Sequence, residues 1–197
     1  MQNANNSLVF TLQPCHTFGA PQGEYLVNTN FPSGNTLTLW RVTNPTGTPV
    51  LNRQQVTVSP YSLASNADQS GGAPPLNTGD VRVLNAAFRG GSVWTAFTTA
   101  HNWGGGANTA SIQWCEINPT AGSVVQQGVY GSQGVHYFYP ALCPDTNGNM
   151  TAGFMRDMRT LEPLLDRYDI RSGSSVDRKS TRLNSSHSGE SRMPSSA

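Results

Sequence analysis

The chain has 197 residues, of which 12% are charged and 36% hydrophobic, with a formal net charge of +1. That length suffices for one domain with a substantial core, while the near-zero charge supplies no basic field for nucleic acid and no acidic field for cationic partners. Gly, Asn, Ser, Thr and Gln take the place of charges, as in extracellular β proteins rich in turns, and there is no apolar run of about 18 residues that could cross a bilayer as a helix.

Met1 to Asn6 is polar, with no basic n-region and no following apolar h-region, so no signal peptide is present. In a chain of secreted composition this predicts a native N-terminus further upstream. Leu8 to Leu12 reads as a short strand, Pro14 to Gln22 as a loop, and Glu24 to Thr29 as a second strand. Turn chemistry at 31–35 leads into Thr36 to Val42, which alternates polar with apolar as a strand with one covered face should. Asn44-Pro45-Thr46-Gly47 turns the chain, and Gln55 to Ser59 alternates again. Residues 62–79 form a long loop rich in Gly, Pro and Asn, of a length that marks functional loops or module edges. A second block follows: a strand over 81–88, a Gly90-Gly91 hairpin, a strand over 93–98, a strand over 110–117 and a fourth over 124–130. Within 110–117 the apolar residues change face near Glu116, which predicts a twist or bulge. The pattern restarts with strands at 137–142 and 150–154 around a Pro144 to Asn149 turn. Over 157–171, Leu161, Leu164, Leu165 and Tyr168 fit an irregular strand or a weak helix interrupted by Pro163.

The blocks share a signature. Trp40-Arg41-Val42-Thr43-Asn44-Pro45-Thr46 recurs as Trp114-Cys115-Glu116-Ile117-Asn118-Pro119-Thr120, an offset of 74 residues (114 minus 40). Internal repeats of this kind decide architecture before single elements do. Repeated four-stranded antiparallel units in up-and-down order are the blades of a β-propeller. The stretches Arg82 to Ala96 and Trp114 to Ile117 resemble the blade pattern of bacterial secreted β-propeller proteins, over approximately residues 8–156. The resemblance implies an all-β, incomplete β-propeller of about two and a half blades within residues 1–171. Its units would span 8–61 and 80–130, with the start of a third at 136–171. A β-sandwich is the alternative, because short strands with frequent turns suit it as well. The resemblance also implies a secreted or cell-envelope location for the full-length protein.

The composition breaks near Asp177. Residues 172–197 are expected to be disordered: from Asp177 onward there is no aromatic residue and no hydrophobic period, and Lys179 is the only lysine of the chain. Asp177 to Ser188 also resembles the translation of sequencing-adapter DNA, which implies a tail that is not native.

No catalytic constellation, cofactor motif or metal-ligand spacing stands out, and no catalytic, cofactor or metal residue is assigned. Three cysteines, Cys15, Cys115 and Cys143, read as small buried side chains, with one bridge such as Cys115 to Cys143 left open. Asp145-Thr146-Asn147-Gly148-Asn149 has some likeness to an Asp-box or half a calcium loop but lacks the completing residues, and a plain hairpin turn explains it. His16, His101 and His136 have no evident partners. Asp80 and Arg82, at i and i+2, read as a structural salt bridge. The tryptophans could stack on sugar rings; Trp40 and Trp114, at equivalent repeat positions, suit packing between blades, whereas Trp103 beside Gly104-Gly105-Gly106 is the best candidate for an exposed platform, with core or loop packing the leading reading even there. Trp103, His101 and Asp145 are therefore the candidate ligand contacts. The expectation is a non-catalytic binding or scaffolding module recognising a polysaccharide or an extracellular protein. A fragment of a propeller-type glycoside hydrolase is the alternative, and a structural surface protein built from repeats a third reading.

Overall fold

The computed structural model describes residues 1–4, 6–69 and 72–157, together with the backbone of 165–170 and 176–177. The described elements are all strands, gathered into three sheets. The first sheet has the order β1 (Gln13–Pro14), β3 (Glu24–Thr29), β4 (Ser33–Thr43), β5 (Val50–Ser62). The second runs β2 (His16–Thr17), β6 (Asn85–Arg89), β7 (Ser92–His101), β8 (Thr109–Asn118), β9 (Ser123–Tyr130). The third runs β10 (Tyr137–Pro144), β11 (Met150–Arg156), β12 (Leu165–Ile170), β13 (Val176–Asp177). All neighbours are antiparallel except β2 and β6, which pair in parallel, and no sheet closes on itself.

The alternation of each strand explains the stacking. Tyr25, Val27, Leu37, Leu39, Val56 and Val58 of the first sheet pack against Ala86, Phe88, Val93, Phe97, Cys115 and Ile117 of the second. The other face of the second sheet carries Trp94, Ala96, Ile112 and Trp114, which pack on Tyr137, Leu142, Met150, Ala152 and Phe154 of the third. The second sheet is thus covered on both faces, and this is why β7 and β8 read as nearly continuous buried runs. The expected bulge is present: the β8–β9 register shifts between Glu116 and Ile117. The Gly90-Gly91 hairpin is present as well, closed by the Arg89–Ser92 pair.

Several expectations are corrected. Residues 8–12 are not a strand, because the edge of β3 is taken by Gln13–Pro14, inside the stretch expected to be loop. Residues 81–84 are also unpaired: Asp80 Oδ1 accepts the Arg82 N–H at 2.9 Å and bends the chain, leaving Val81 and Val83 to anchor it in the core. In 157–171 the strand reading, one of the two expected, agrees with β12 at Leu165–Ile170, and 158–164 and 171 lie outside the described residues. Of the tail expected to be disordered, 172–197, only Val176–Asp177 is described, and that pair forms β13 against β12. The Trp repeat is a repeat of strand and turn but not of facing. Trp114 packs between the second and third sheets, whereas Trp40 points away from the second sheet. There its indole N–H donates to Asn28 Oδ1 at 2.7 Å, and Asn28 Nδ2 donates to Asn3 Oδ1 at 3.0 Å.

Candidate ligand-binding surface

Three residues were singled out from sequence, and the structure separates them. Asp145 is exposed and closes the β10–β11 turn: its Oδ1 accepts the Asn147 and Asn149 N–H groups at 2.8 and 2.9 Å, and its Oδ2 accepts Asn149 Nδ2 at 2.7 Å. These donors, the Asn149 side chain first, hold its carboxyl below the ordinary value. That is the chemistry of a hairpin turn. His101 and Trp103 are brought together, ring centroids 4.4 Å apart. Trp103 is not a free platform, however. It is half-buried, its Nε1 donates to Ser111 Oγ at 3.1 Å, and it lies so close over Gly131 that a Cβ there would meet the indole at 2.8 Å. Asp145 lies beside the β6–β7 hairpin, where Arg89 Nη1 reaches Pro144 O at 3.0 Å, while His101 ends β7 at the opposite end. At about 3.3 Å per residue, the ten-residue β7 puts them roughly 30 Å apart.

The cysteines are not bridged. Cys15 and Cys115 are buried free thiols and Cys143 is exposed. Cys115 faces the first sheet, so it cannot reach Cys143 on the third. His136 is buried, its Nδ1 accepting the Ala110 N–H at 3.2 Å, and His16 lies on Phe18. Among the described residues no group of three or more His, Cys, Asp or Glu is placed to hold a metal.

A different surface is built from residues far apart in sequence. Asn77, Gly79, Asp80, Arg82, Leu84 and Tyr139 line a groove of about 350 Å³. Asp80 and Arg82 form a bidentate pair, Nη2 to Oδ2 at 2.6 Å and Nε to Oδ1 at 2.8 Å. Hydrogen bonds from the Arg82 side chain hold the Asp80 carboxyl below its ordinary value, and the same bonds raise Arg82. The Arg82 guanidinium also lies 5.0 Å over the Phe10 ring, and Phe10 packs on Phe31 at 4.4 Å. Phe10 is 39% exposed, Phe31 49% and Tyr139 38%, so three aromatic faces gather in solvent where a core would hide them.

Tyr139 is the strained member. Its φ is +52°, in the left-handed region that bulky residues avoid, within a register break of β10 between Phe138 and Ala141. Three contacts hold it: its N–H donates to Thr98 Oγ1 at 3.2 Å, its hydroxyl donates to Asn77 O at 3.1 Å, and its ring covers Gly79, where a Cβ would meet it at 2.6 Å. Gly79 itself has φ +77°, so this position suits glycine twice over. Sequence reading missed the groove; the Asp80–Arg82 spacing was the one local signal, and it pointed to the salt bridge alone.

Fold and surface together define an all-β protein of three stacked antiparallel sheets with a solvent-facing aromatic groove. Neither a protein-family model, nor a curated protein, nor a solved structure matches the chain.

Proposed function

We propose that this chain is a non-catalytic binding module of a secreted bacterial protein of β-propeller type, and that it holds a polysaccharide against the Phe10, Phe31 and Tyr139 surface. The observation that carries the reading is the exposed aromatic cluster gathered round a charge-neutralised Asp80–Arg82 pair. Aromatic faces stack on the apolar faces of sugar rings, and the neighbouring polar groups meet the hydroxyls. A strained Tyr139 supports it, since strain of this kind gathers at functional surfaces. Face-to-face packing of three sheets in chain order is compatible with the propeller reading, and it suits a sandwich equally. The glycoside hydrolase reading is the weaker one. A glycosidase needs two carboxyls across the scissile bond, and among the described residues the groove is lined by one, Asp80, which Arg82 already occupies.

The test is retention on insoluble cellulose, chitin and xylan, with Phe10→Ala and Phe31→Ala beside the unaltered chain. Stacking of the order of 1 kcal/mol per ring predicts about a five- to tenfold loss of retention for each variant. Equal retention of the variants, or none for the unaltered chain, would overturn the reading. Binding confined to extracellular proteins favours the protein-ligand alternative, and release of reducing sugar favours the hydrolase.

A further inference from the structure

At the other end of β4 lies a second cleft, of about 310 Å³, between the first sheet and the β8–β9 turn. Tyr25, Arg41, Asn52, Gln54 and Thr120 line it, with Arg53 and Pro119 at its rim. Arg41 stands across from Tyr25 on β3 and Asn52 on β5, so a phenol, a guanidinium and an amide form one row over three strands. Two glycines behind the cleft support its side chains. A Cβ at Gly23 would lie 3.1 Å from Arg41 Cγ, and one at Gly122 would lie 1.7 Å from Gln54 Nε2, so both side chains lie directly on backbone.

What sets the cleft apart is its uncompensated charge. Arg82 has Asp80, Arg89 has Pro144 O and the Phe18 ring, and Arg53 donates to Gln2 O at 2.6 Å and lies 6.0 Å over Trp40. Arg41 is half-buried and its side chain has no hydrogen bond, ion pair or ring contact among the described residues, and no carboxylate lines its cleft. The Arg41 guanidinium thus has its donors open to an external acceptor.

We propose that this cleft binds a carboxylate group, with Arg41 as its two-pronged donor and Asn52, Gln54 and Thr120 supplying neutral hydrogen bonds to the rest of the ligand. A planar fork matches a carboxylate through two parallel bonds. Arg41 is the guanidinium without a protein partner here among the described residues, while Arg53, which also lines the cleft, is engaged by Gln2 O and the Trp40 ring, so one forked carboxylate fits better than a phosphate chain. The carboxylate can come from a uronic acid residue or from a free small acid. The site is independent of the aromatic groove: Arg41 is ten residues along the chain from Phe31, roughly 30 Å in extended strand.

The test titrates the 197-residue chain with D-glucuronate, acetate, sulfate and D-glucose, following the Arg41 side-chain Nε–H resonance. Glucuronate is expected to shift that resonance saturably, with affinity of millimolar order that weakens with salt, while glucose does nothing. Arg41→Gln should abolish binding and Arg41→Lys should weaken it about tenfold, with Arg89→Gln, at the β6–β7 hairpin outside both surfaces, unchanged as the control. Acetate binding as tightly as glucuronate assigns the free acid as the source, and weaker acetate binding assigns the sugar. No shift at Arg41, a shift that survives in Arg41→Gln, or tighter binding of sulfate than of either carboxylate would overturn the proposal. Because Arg41→Lys keeps the charge and the fold, the test does not depend on Arg41→Gln folding.

Discussion

Cys15 and Cys115 sit in the core that the first two sheets share, and burial pushes both thiols from an ordinary 9.0 up to about 12. Tyr61, wedged edge-on against Phe97, is likewise pushed from 10.0 to about 12, chiefly by burial. All three groups are neutral in folded and unfolded chains below their ordinary values, so stability is undiminished there. As pH rises past about 9 the unfolded chain loses protons first, and stability falls progressively until about 12. The urea midpoint should therefore drop between those limits, and less steeply in the Cys15→Ala, Cys115→Ala double variant. At pH 8 a thiol reagent should label Cys143 promptly and the other two only on unfolding. At this scale sequence reading did well where the local pattern carries the information: the Asp145 turn and the Asp80–Arg82 pair follow from neighbours a few residues away, whereas the expectation of three buried cysteines holds for Cys15 and Cys115 and fails for Cys143, which is exposed. It did less well for Trp40, whose facing depends on where Asn28 and Asn3 arrive; the packing of Trp103, the leading reading there, rests on Gly131, beyond any local window.

The β6–β7 hairpin shows what an element demands of its sequence. Gly90 and Gly91 have φ of +61° and +84°, the left-handed pair that lets a two-residue turn match the twist of its strands. Gly90→Ala and Gly91→Ala should each destabilise by roughly 1–2 kcal/mol, and Gly90→Asn by less, since Asn tolerates that region. Denaturant melts would measure the order. The turn and the alternation of β4, β7 and β8 were legible because turn chemistry and face periodicity are local. The strands run further than their alternation suggested, β5 from Val50 to Ser62, because a long partner keeps supplying hydrogen bonds where the side-chain pattern has lapsed. Conversely, 8–12 and 81–84 have strand-like residues but no ladder among the described residues, 8–12 carrying an isolated Leu8–Gln2 bridge and a Val9 N–H to Met1 O bond, and a ladder is what makes a strand.

Across the whole molecule, the first and second sheets share one core, and Phe88 is central to it: it stacks on Tyr25 at 5.2 Å and its carbonyl accepts the Phe18 N–H at 2.8 Å. Phe88→Ala should cost about 3–5 kcal/mol and lower both sheets together, seen as a single transition whether Trp40 or Trp94 is the fluorescent reporter. Separate transitions would mean the sheets are separate units. The aromatic groove belongs to this scale too: Phe10, Phe31, Asp80 and Tyr139 meet only after the sheets have stacked, so no window of sequence contains it. The N-terminal segment then carries a consequence of its own. β1 lies on the first sheet and β2 on the second, with Cys15 alone between them, and His16 pairs with Ala87, 71 residues later (87 minus 16). During synthesis at about 5–20 residues per second, the segment waits roughly 4–14 s for its partner to be made. The first sheet can form in that interval with half its clasp hanging open, and the seam between the sheets is drawn shut only when β6 arrives.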